Sequence, residues 1–196
     1  WSSDCALPIS ISFSQIRTPL EGGSSSLELD VHITAGQFVA LVGPSRSGKS
    51  LVIELAAGLV LPESGRVTVL GQDWSTVQDG AVSPVRLRVG TVLQQPGLLS
   101  NMTLFNNVLL PLRYHRGLLP ARQREQLVMV QLERLGVMAL RDRFPAELNQ
   151  GEIRRGAIAR ALMLEPEVLL LDDPVAGLDA DTVLVLTQYV EEHRRR

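Results

Sequence analysis

The chain has a single cysteine, Cys5, which excludes an intrachain disulfide and fits a reducing compartment. Its three histidines, His32, His115 and His193, lie far apart and offer no metal-ligand spacing. A basic excess is missing too: 19 Lys+Arg against 21 Asp+Glu leave a formal net charge of −2, without the electrostatic footprint of a nucleic-acid binder. The longest apolar run, Leu55 to Leu61, is far short of the roughly 20 residues a membrane span needs, and no signal-peptide pattern is legible. Internal repeats and low-complexity tracts are absent as well. What the chain does have is apolar content: 45% of its 196 residues are hydrophobic, enough for a core. That length suits one domain, or one domain with a subdomain inside it. The chain opens on Trp1 rather than a start methionine, so a processed or cut chain is expected.

The softest stretch, Glu21-Gly22-Gly23-Ser24-Ser25-Ser26, reads as a hairpin loop between strands near Ile9–Phe13 and Leu27–Ile33. In the second strand Leu27, Leu29, Val31 and Ile33 alternate with Glu28, Asp30 and His32, which predicts one buried face. The apolar run Gln37–Val42 is expected to be a strand, followed by a Gly-rich turn and a helix over Ser50–Leu59. Pro62-Glu63-Ser64-Gly65 reads as a turn before a strand at Arg66–Leu70, and Arg88–Leu93 as a further strand. From about Asn101 to Leu164 the pattern is helical, broken by Pro111, Pro120 and Pro145. A buried strand is expected at Val168–Leu171 and a helix at Asp181–Glu192. Strands and helices alternating around a phosphate-loop signature predict an α/β fold with a parallel core sheet and a helical insertion.

That signature is Gly43-Pro44-Ser45-Arg46-Ser47-Gly48-Lys49-Ser50, which fits G-x-x-x-x-G-K-[ST]. At this spacing the backbone N–H groups of residues 45–50 can curl around phosphate oxygens at the start of the next helix. The Lys49 ammonium is then placed on the β/γ phosphates, and the Ser50 hydroxyl can ligate Mg²⁺. With Leu51, these residues form the candidate nucleotide-binding set. A Gly-rich turn matching by chance is the bland alternative; the apolar run before the loop and the helix after it count against that.

Val168-Leu169-Leu170-Leu171-Asp172-Asp173 is an apolar strand ending in two carboxylates. Alone it reads as a buried strand stopped by a polar turn. Beside a phosphate loop, Asp172 is suited to hold Mg²⁺, directly or through water, and Asp173 to orient the attacking water at the γ-phosphate.

Further segments, in this order, resemble the ATPase subunit of ABC transporters. Gln94, after its strand, is similar to the family's Q-loop glutamine, and the resemblance makes it a Mg²⁺ and water contact linked to the membrane partner. Leu148-Asn149-Gln150-Gly151-Glu152 sits where the family carries its LSGGQ signature, followed by a kept tail, Arg155-Gly156-Ala157-Ile158-Ala159-Arg160-Ala161-Leu162. Pro174 follows the acidic pair, and Gly177-Leu178-Asp179 resembles the D-loop. The resemblance runs from about Ile9 to the chain end. It implies a P-loop NTPase (RecA-like) core with an N-terminal antiparallel β subdomain and an inserted α-helical subdomain at about 98–165. It implies one ABC-type ATPase domain over 1–196, incomplete at its C-terminus. It also implies Mg²⁺ and ATP, with Asn149, Gln150, Gly151 and Glu152 facing the ATP of a partner subunit in a head-to-tail dimer. Independently, Asn149 with Glu152 three residues on reads as an ordinary capped helix start. Asn107-Val108-Leu109-Leu110-Pro111-Leu112-Arg113-Tyr114-His115 and Leu135-Gly136-Val137 are similar, more narrowly, to Mla-type (Mce-associated) phospholipid transporter ATPases.

The chain also departs from the family pattern. Arg46 stands where Gly is usual, Asn149 for Ser, Gln150 for Gly, Glu152 for Gln, and Asp173 for the catalytic Glu. Arg46 either pairs with phosphate or is a solvated loop residue in a turn that prefers glycine. Gln15 lies close to the position from which an aromatic ring stacks on adenine. His193 is 193 − 173 = 20 residues beyond the acidic strand, too near for the family's switch histidine some thirty residues on, and reads as a surface helix residue.

The expected function is an ATPase subunit, peripheral on the cytoplasmic face of the membrane, that powers a separate permease and pairs as a homodimer or with a paralogous ATPase subunit, with no nucleic acid involved. Leu98, Leu99, Met102, Leu104 and Phe105 are candidates for permease contact or, for most of them, subdomain core. The alternative is a degenerate nucleotide-binding regulatory subunit with little hydrolysis. A soluble ABC protein of DNA repair or translation fits less well, because the chain has neither long coiled coils nor tandem domains.

Overall fold

The computed structural model describes residues 9–20, 25–77, 83–115, 119–174, 180, 183–184, 187–188 and 191. They fall into two compact units, one running up to Arg86 and the other starting at Leu87.

The first unit holds an antiparallel sheet of β1 (Ile9–Pro19), β2 (Ser26–Thr34), β3 (Ser64–Val69) and β4 (Gln72–Asp73), in the order β2-β1-β3-β4. Phe13 is the central register point, opposite Val31 on β2 and Val67 on β3. Ile11 and Phe13 are buried, and so is Ile16, which strict alternation would turn outward. A register shift between Phe13 and Ile16, with Gln15 at φ 50°, inserts the extra residue that returns Ile16 to the buried face. The face expected for β2 is only half-buried, and Val31 is 39% exposed. As the edge strand, β2 has one neighbour in the sheet and its apolar side is incompletely covered.

The helix after the phosphate loop, α1 (Lys49–Ala56), is shorter than expected. Gly58 at φ 65° stops it, and a Cβ there would come within 2.8 Å of the Trp74 ring. Trp74, itself buried, donates its indole N–H to Ala56 O at 3.0 Å. Arg86 stacks over the same ring at 5.1 Å and donates to Gly58 O at 2.9 Å. The C-terminal end of α1 is therefore tied down by side chains far along the sequence.

The strand expected at Phe38–Val42 is not formed. Residues 37–44 carry no ladder, and Phe38 and Val42 are 68% and 92% exposed. Apolar, β-branched composition gives such a run strand propensity, but a strand needs a hydrogen-bonding neighbour, and among the described residues neither sheet pairs with it.

In the second unit β5 (Val89–Val92) and β6 (Val168–Leu171) pair in parallel, Val89 opposite Val168 and Val92 opposite Leu171. Arg88 and Glu167 fix the start of this register: the guanidinium forks onto the carboxylate, with Nη2 to Oε2 at 2.6 Å, and Glu167 N–H donates to Arg88 O at 2.8 Å. Around the pair lie α2 (Leu104–His115), α3 (Ala121–Arg134) and α4 (Gln150–Leu162). Leu104, Val108, Leu112, Val128, Leu132 and Ile158 share their core. Pro120 N-caps α3 and Pro145 opens a short 3₁₀ turn, but Pro111 lies inside α2 instead of breaking it. An internal proline costs about 3 kcal/mol, and burying several Leu and Val side chains at roughly 1.5–3 kcal/mol each offsets that. The loop tip expected at 21–24 and most of the helix expected at Asp181–Glu192 lie outside the described residues.

Candidate functional site

The candidate residues fall in both units. In the first, the phosphate loop turns tightly into α1. Gly48 is the left-handed N-cap, at φ 90°, a conformation glycine adopts without steric cost. A Cβ on Gly43 would meet Ser47 Oγ at 2.9 Å, so the two ends of the loop approach closely and a side chain at 43 would turn the Ser47 hydroxyl aside. The Lys49 ammonium folds back over the loop and donates to Gly43 O at 2.9 Å and Pro44 O at 2.6 Å. It is held above the loop by two carbonyls that a phosphate can displace. The first amides of α1 have no intrahelical acceptor and point along the positive end of the helix dipole. Ser50 and Leu51 sit in that first turn, while Ser45 and Arg46 are exposed on the outer bend. Arg46 takes φ 63°, so the position is a left-handed one that favours glycine. Gln15 opens onto a cavity of about 440 Å³ lined also by Arg17, Glu28, Asp30 and Ser64, with no aromatic side chain among its lining residues.

In the second unit the ends of the parallel strands bring Gln94 and the acidic pair together. Asp172 N–H extends the ladder by donating to Val92 O at 2.9 Å, two residues before Gln94. Asp172 is half-buried, whereas Asp173 and Gln94 are exposed. Asp173 adopts φ 50°, which turns the chain off the end of β6. Asp tolerates this region better than most residues.

The candidate signature residues open α4. Asn149 is the N-cap: its Oδ1 accepts from Glu152 N–H at 2.9 Å, and Glu152 Oε2 accepts from Asn149 N–H at 2.8 Å. Gln150 is exposed and Gly151 half-buried in the same turn. The preceding turn is fixed by Glu147, whose carboxylate is held below its ordinary pKa by the Phe144 N–H and then by Arg143. The D-loop candidate Asp179 and the residue His193 lie outside the described residues.

Two side chains without a role in the sequence reading stand out. Arg154 is 6% exposed and donates to Gln94 O at 2.9 Å and Asp172 O at 3.1 Å. Asn107, fully buried, donates to Leu99 O, Met102 O and Thr103 O and accepts from Leu99 N–H, so it shapes the loop between Gln94 and α2. The sequence carried a signal for Arg154, which lies three and four residues before the apolar Ala157 and Ile158, on their helix face. Of the permease-contact candidates, Leu104 is core, Leu98 and Phe105 pack against it, and Leu99 is 41% exposed.

Among the described residues no group of three or more His, Cys, Asp or Glu could hold a metal alone. Ser50 in the first unit and Gln94 and Asp172 in the second each offer a side-chain oxygen, the donor type that a hard cation such as Mg²⁺ takes. Among the described residues no helix is long and apolar enough to cross a membrane.

Residues 27–176 match the ABC transporter family. The chain belongs to that family. It is 40% identical over 158 residues to the sulfate/thiosulfate import ATP-binding protein CysA of Thermosynechococcus vestitus, covering 78% of this chain and 44% of that protein. It is 32% identical to the intermembrane phospholipid transport system ATP-binding protein MlaF of Haemophilus influenzae, covering 83% of this chain and 61% of that one. A solved dimeric structure of MJ0796, a bacterial ABC transporter cassette, superposes with a TM-score of 0.87 at 27% identity, covering 94% of this chain and 83% of that one. The fold is therefore the α/β P-loop NTPase fold of ABC cassettes. The chain spans about half the length of curated relatives such as CysA, at 44%, and the methionine import protein MetN of Cupriavidus metallidurans, at 51%.

Proposed function

We propose that this ABC-family chain is the ATP-binding and hydrolysing subunit of a transporter, acting from the cytoplasmic face of the membrane on a separate permease and working as a dimer, with itself or with a paralogous subunit. The observation that carries the reading is the Lys49 ammonium held over a closed Gly43–Gly48 loop at the start of α1. In this reading Lys49 and the loop amides bind the phosphates, and Asp173 positions the attacking water. Gln94 reports occupancy toward the permease, and Asn149–Glu152 meet the nucleotide of the partner subunit. Mg²⁺, held by Ser50, Gln94 and Asp172, would neutralise charge on the phosphate oxygens. A phospholipid cargo is the finer proposal, supported by the Asn107–His115 and Leu135–Val137 segments and by the likeness to MlaF. Sulfate/thiosulfate and methionine are the cargoes in the names of other relatives of similar identity. Affinity purification of the tagged chain from its native membrane tests the partner. Co-purification of a multi-span permease is expected, and recovery of the chain with soluble proteins alone contradicts the reading.

A second reading, a nucleotide-binding regulatory subunit with little turnover, is favoured by one observation. Asp173, already a methylene shorter than Glu, sits at φ 50°, where the chain turns off the end of β6 rather than continuing the strand.

A further inference from the structure

We infer that Arg154 and Arg160 of α4 are positioning residues that hold the Gln94–Gly97 segment, and through Arg154 the end of β6, as one body with the signature helix. The inference rests on the ATPase reading for its catalytic consequence, but its geometry stands alone. Arg154 divides its guanidinium between Gln94 O at 2.9 Å and Asp172 O at 3.1 Å. Six residues on, Arg160 divides its own between Gly97 O and Pro96 O, both at 2.9 Å. Four charge-assisted hydrogen bonds thus run from one helix to four backbone carbonyls, three of them in the loop that carries Gln94.

The residue type matters. A guanidinium is a planar fork with donors enough to bridge two carbonyls, whereas an ammonium is a point donor. Arg154 is 94% buried, and among the described residues it forms no ion pair, so the carbonyl oxygens are its compensation for leaving water. Burial likewise pulls the Arg160 pKa down from its ordinary value. Keeping the Arg154 cation inside is costly unless its carbonyls stay in place, and the half-buried Arg160 is held in the same way, so helix and loop hold each other. Between them, Gly156 lets α4 approach the start of α2 closely: a Cβ there would overlap Leu104 Cδ1.

Gln94 therefore has a pinned backbone and an exposed side chain. Any displacement of α4 carries the origin of the Gln94 side chain and the Asp172 carbonyl with it. An effect at the signature turn would reach the glutamine through two arginines rather than through the loop's own stiffness.

Two measurements on the full chain separate the clamp from the ATPase reading. Hydrogen–deuterium exchange needs no nucleotide: Arg154→Ala should speed exchange of the Asp172 amide, which donates to Val92 O, and Arg160→Ala that of the Leu99 amide, which donates to Asn107 Oδ1, by about tenfold each, with the α2 and α3 core amides unchanged. In steady-state phosphate release, Arg154→Ala should lower kcat by about tenfold with KM for ATP within about twofold. Adding Gln94→Ala to it should cost no more than either change alone, and Arg154→Lys should recover only part of the rate. If Arg154→Ala fails to fold, Arg160→Lys at the half-buried position carries both measurements. Exchange unchanged at Asp172 and Leu99, or raised equally throughout, overturns the clamp, and so does a kcat loss additive with Gln94→Ala. A parent chain that neither binds nor hydrolyses ATP removes the ATPase reading, while the exchange result still decides the clamp.

Discussion

Asn149 and Glu152 cap α4 reciprocally, each side chain accepting the other's backbone N–H at 2.9 and 2.8 Å. The turn where the family carries Ser and Gln is thus closed by a different pair with the same hydrogen-bond logic. Asn149→Ala should cost about 1 kcal/mol of stability, because the Glu152 N–H loses its acceptor. Glu152→Gln keeps an acceptor oxygen and should be neutral to within about 0.5 kcal/mol. Urea unfolding of the two variants checks this, and equal losses would mean that the box is not what stabilises the helix start.

The cap was legible in the sequence because its two residues stand three apart. So was β6, whose apolar run ends at two carboxylates, and the tight turn from Gly43 into α1, where Gly48 takes the left-handed cap. The illegible parts depend on distant partners. Residues 38–42 have strand composition but find no ladder. Pro111 sits inside α2 because Leu104, Val108 and Leu112 bury one helix face around it. Ile16 faces the core only because a bulge at Gln15 changes the alternation. Arg154 gained its role when a loop sixty residues away, at Gln94, came within hydrogen-bonding reach.

Arg46 at φ 63° occupies a backbone conformation that disfavours a Cβ. Arg46→Gly should raise stability by about 0.5–1 kcal/mol, the left-handed strain relieved less the entropy that glycine adds to the unfolded chain. Thermal unfolding reads this directly. A lower melting temperature would show that the Arg46 side chain makes a stabilising contact that outweighs its strain.

The Arg88–Glu167 pair makes stability depend on pH. The Arg88 hydrogen bond holds the Glu167 carboxyl below its ordinary 4.5. Its contribution is therefore present above pH 4.5 and is lost as pH falls through the lower folded value. Both side chains are about half exposed, so solvent screening limits the contribution to about 0.5 kcal/mol. Glu167→Gln should be less stable than the parent at pH 7, and the gap should close as the pH falls through the folded value. A gap that persists in acid would place the loss in β5–β6 packing rather than in the charge.

In the proposed reading Asp173 takes the place of the family's glutamate, with a side chain one methylene shorter. Asp173→Glu should raise kcat with little change in ATP affinity, and Asp173→Asn should lower kcat and trap an ATP-bound dimer, since an interaction made mainly in the transition state changes rate rather than binding. Phosphate release and size-exclusion chromatography with ATP check the two outcomes. Unchanged kcat in both variants would favour the regulatory reading.

The central claim is that the Gly43–Ser50 loop binds ATP phosphates through Lys49 for hydrolysis. Its most direct test is Mg²⁺-dependent phosphate release by the full-length chain with its membrane partner, measured for the parent and for Lys49→Ala. The account predicts turnover in the parent and, in the variant, loss of turnover with weakened ATP binding. A Lys49→Ala chain that binds and hydrolyses ATP like the parent contradicts it.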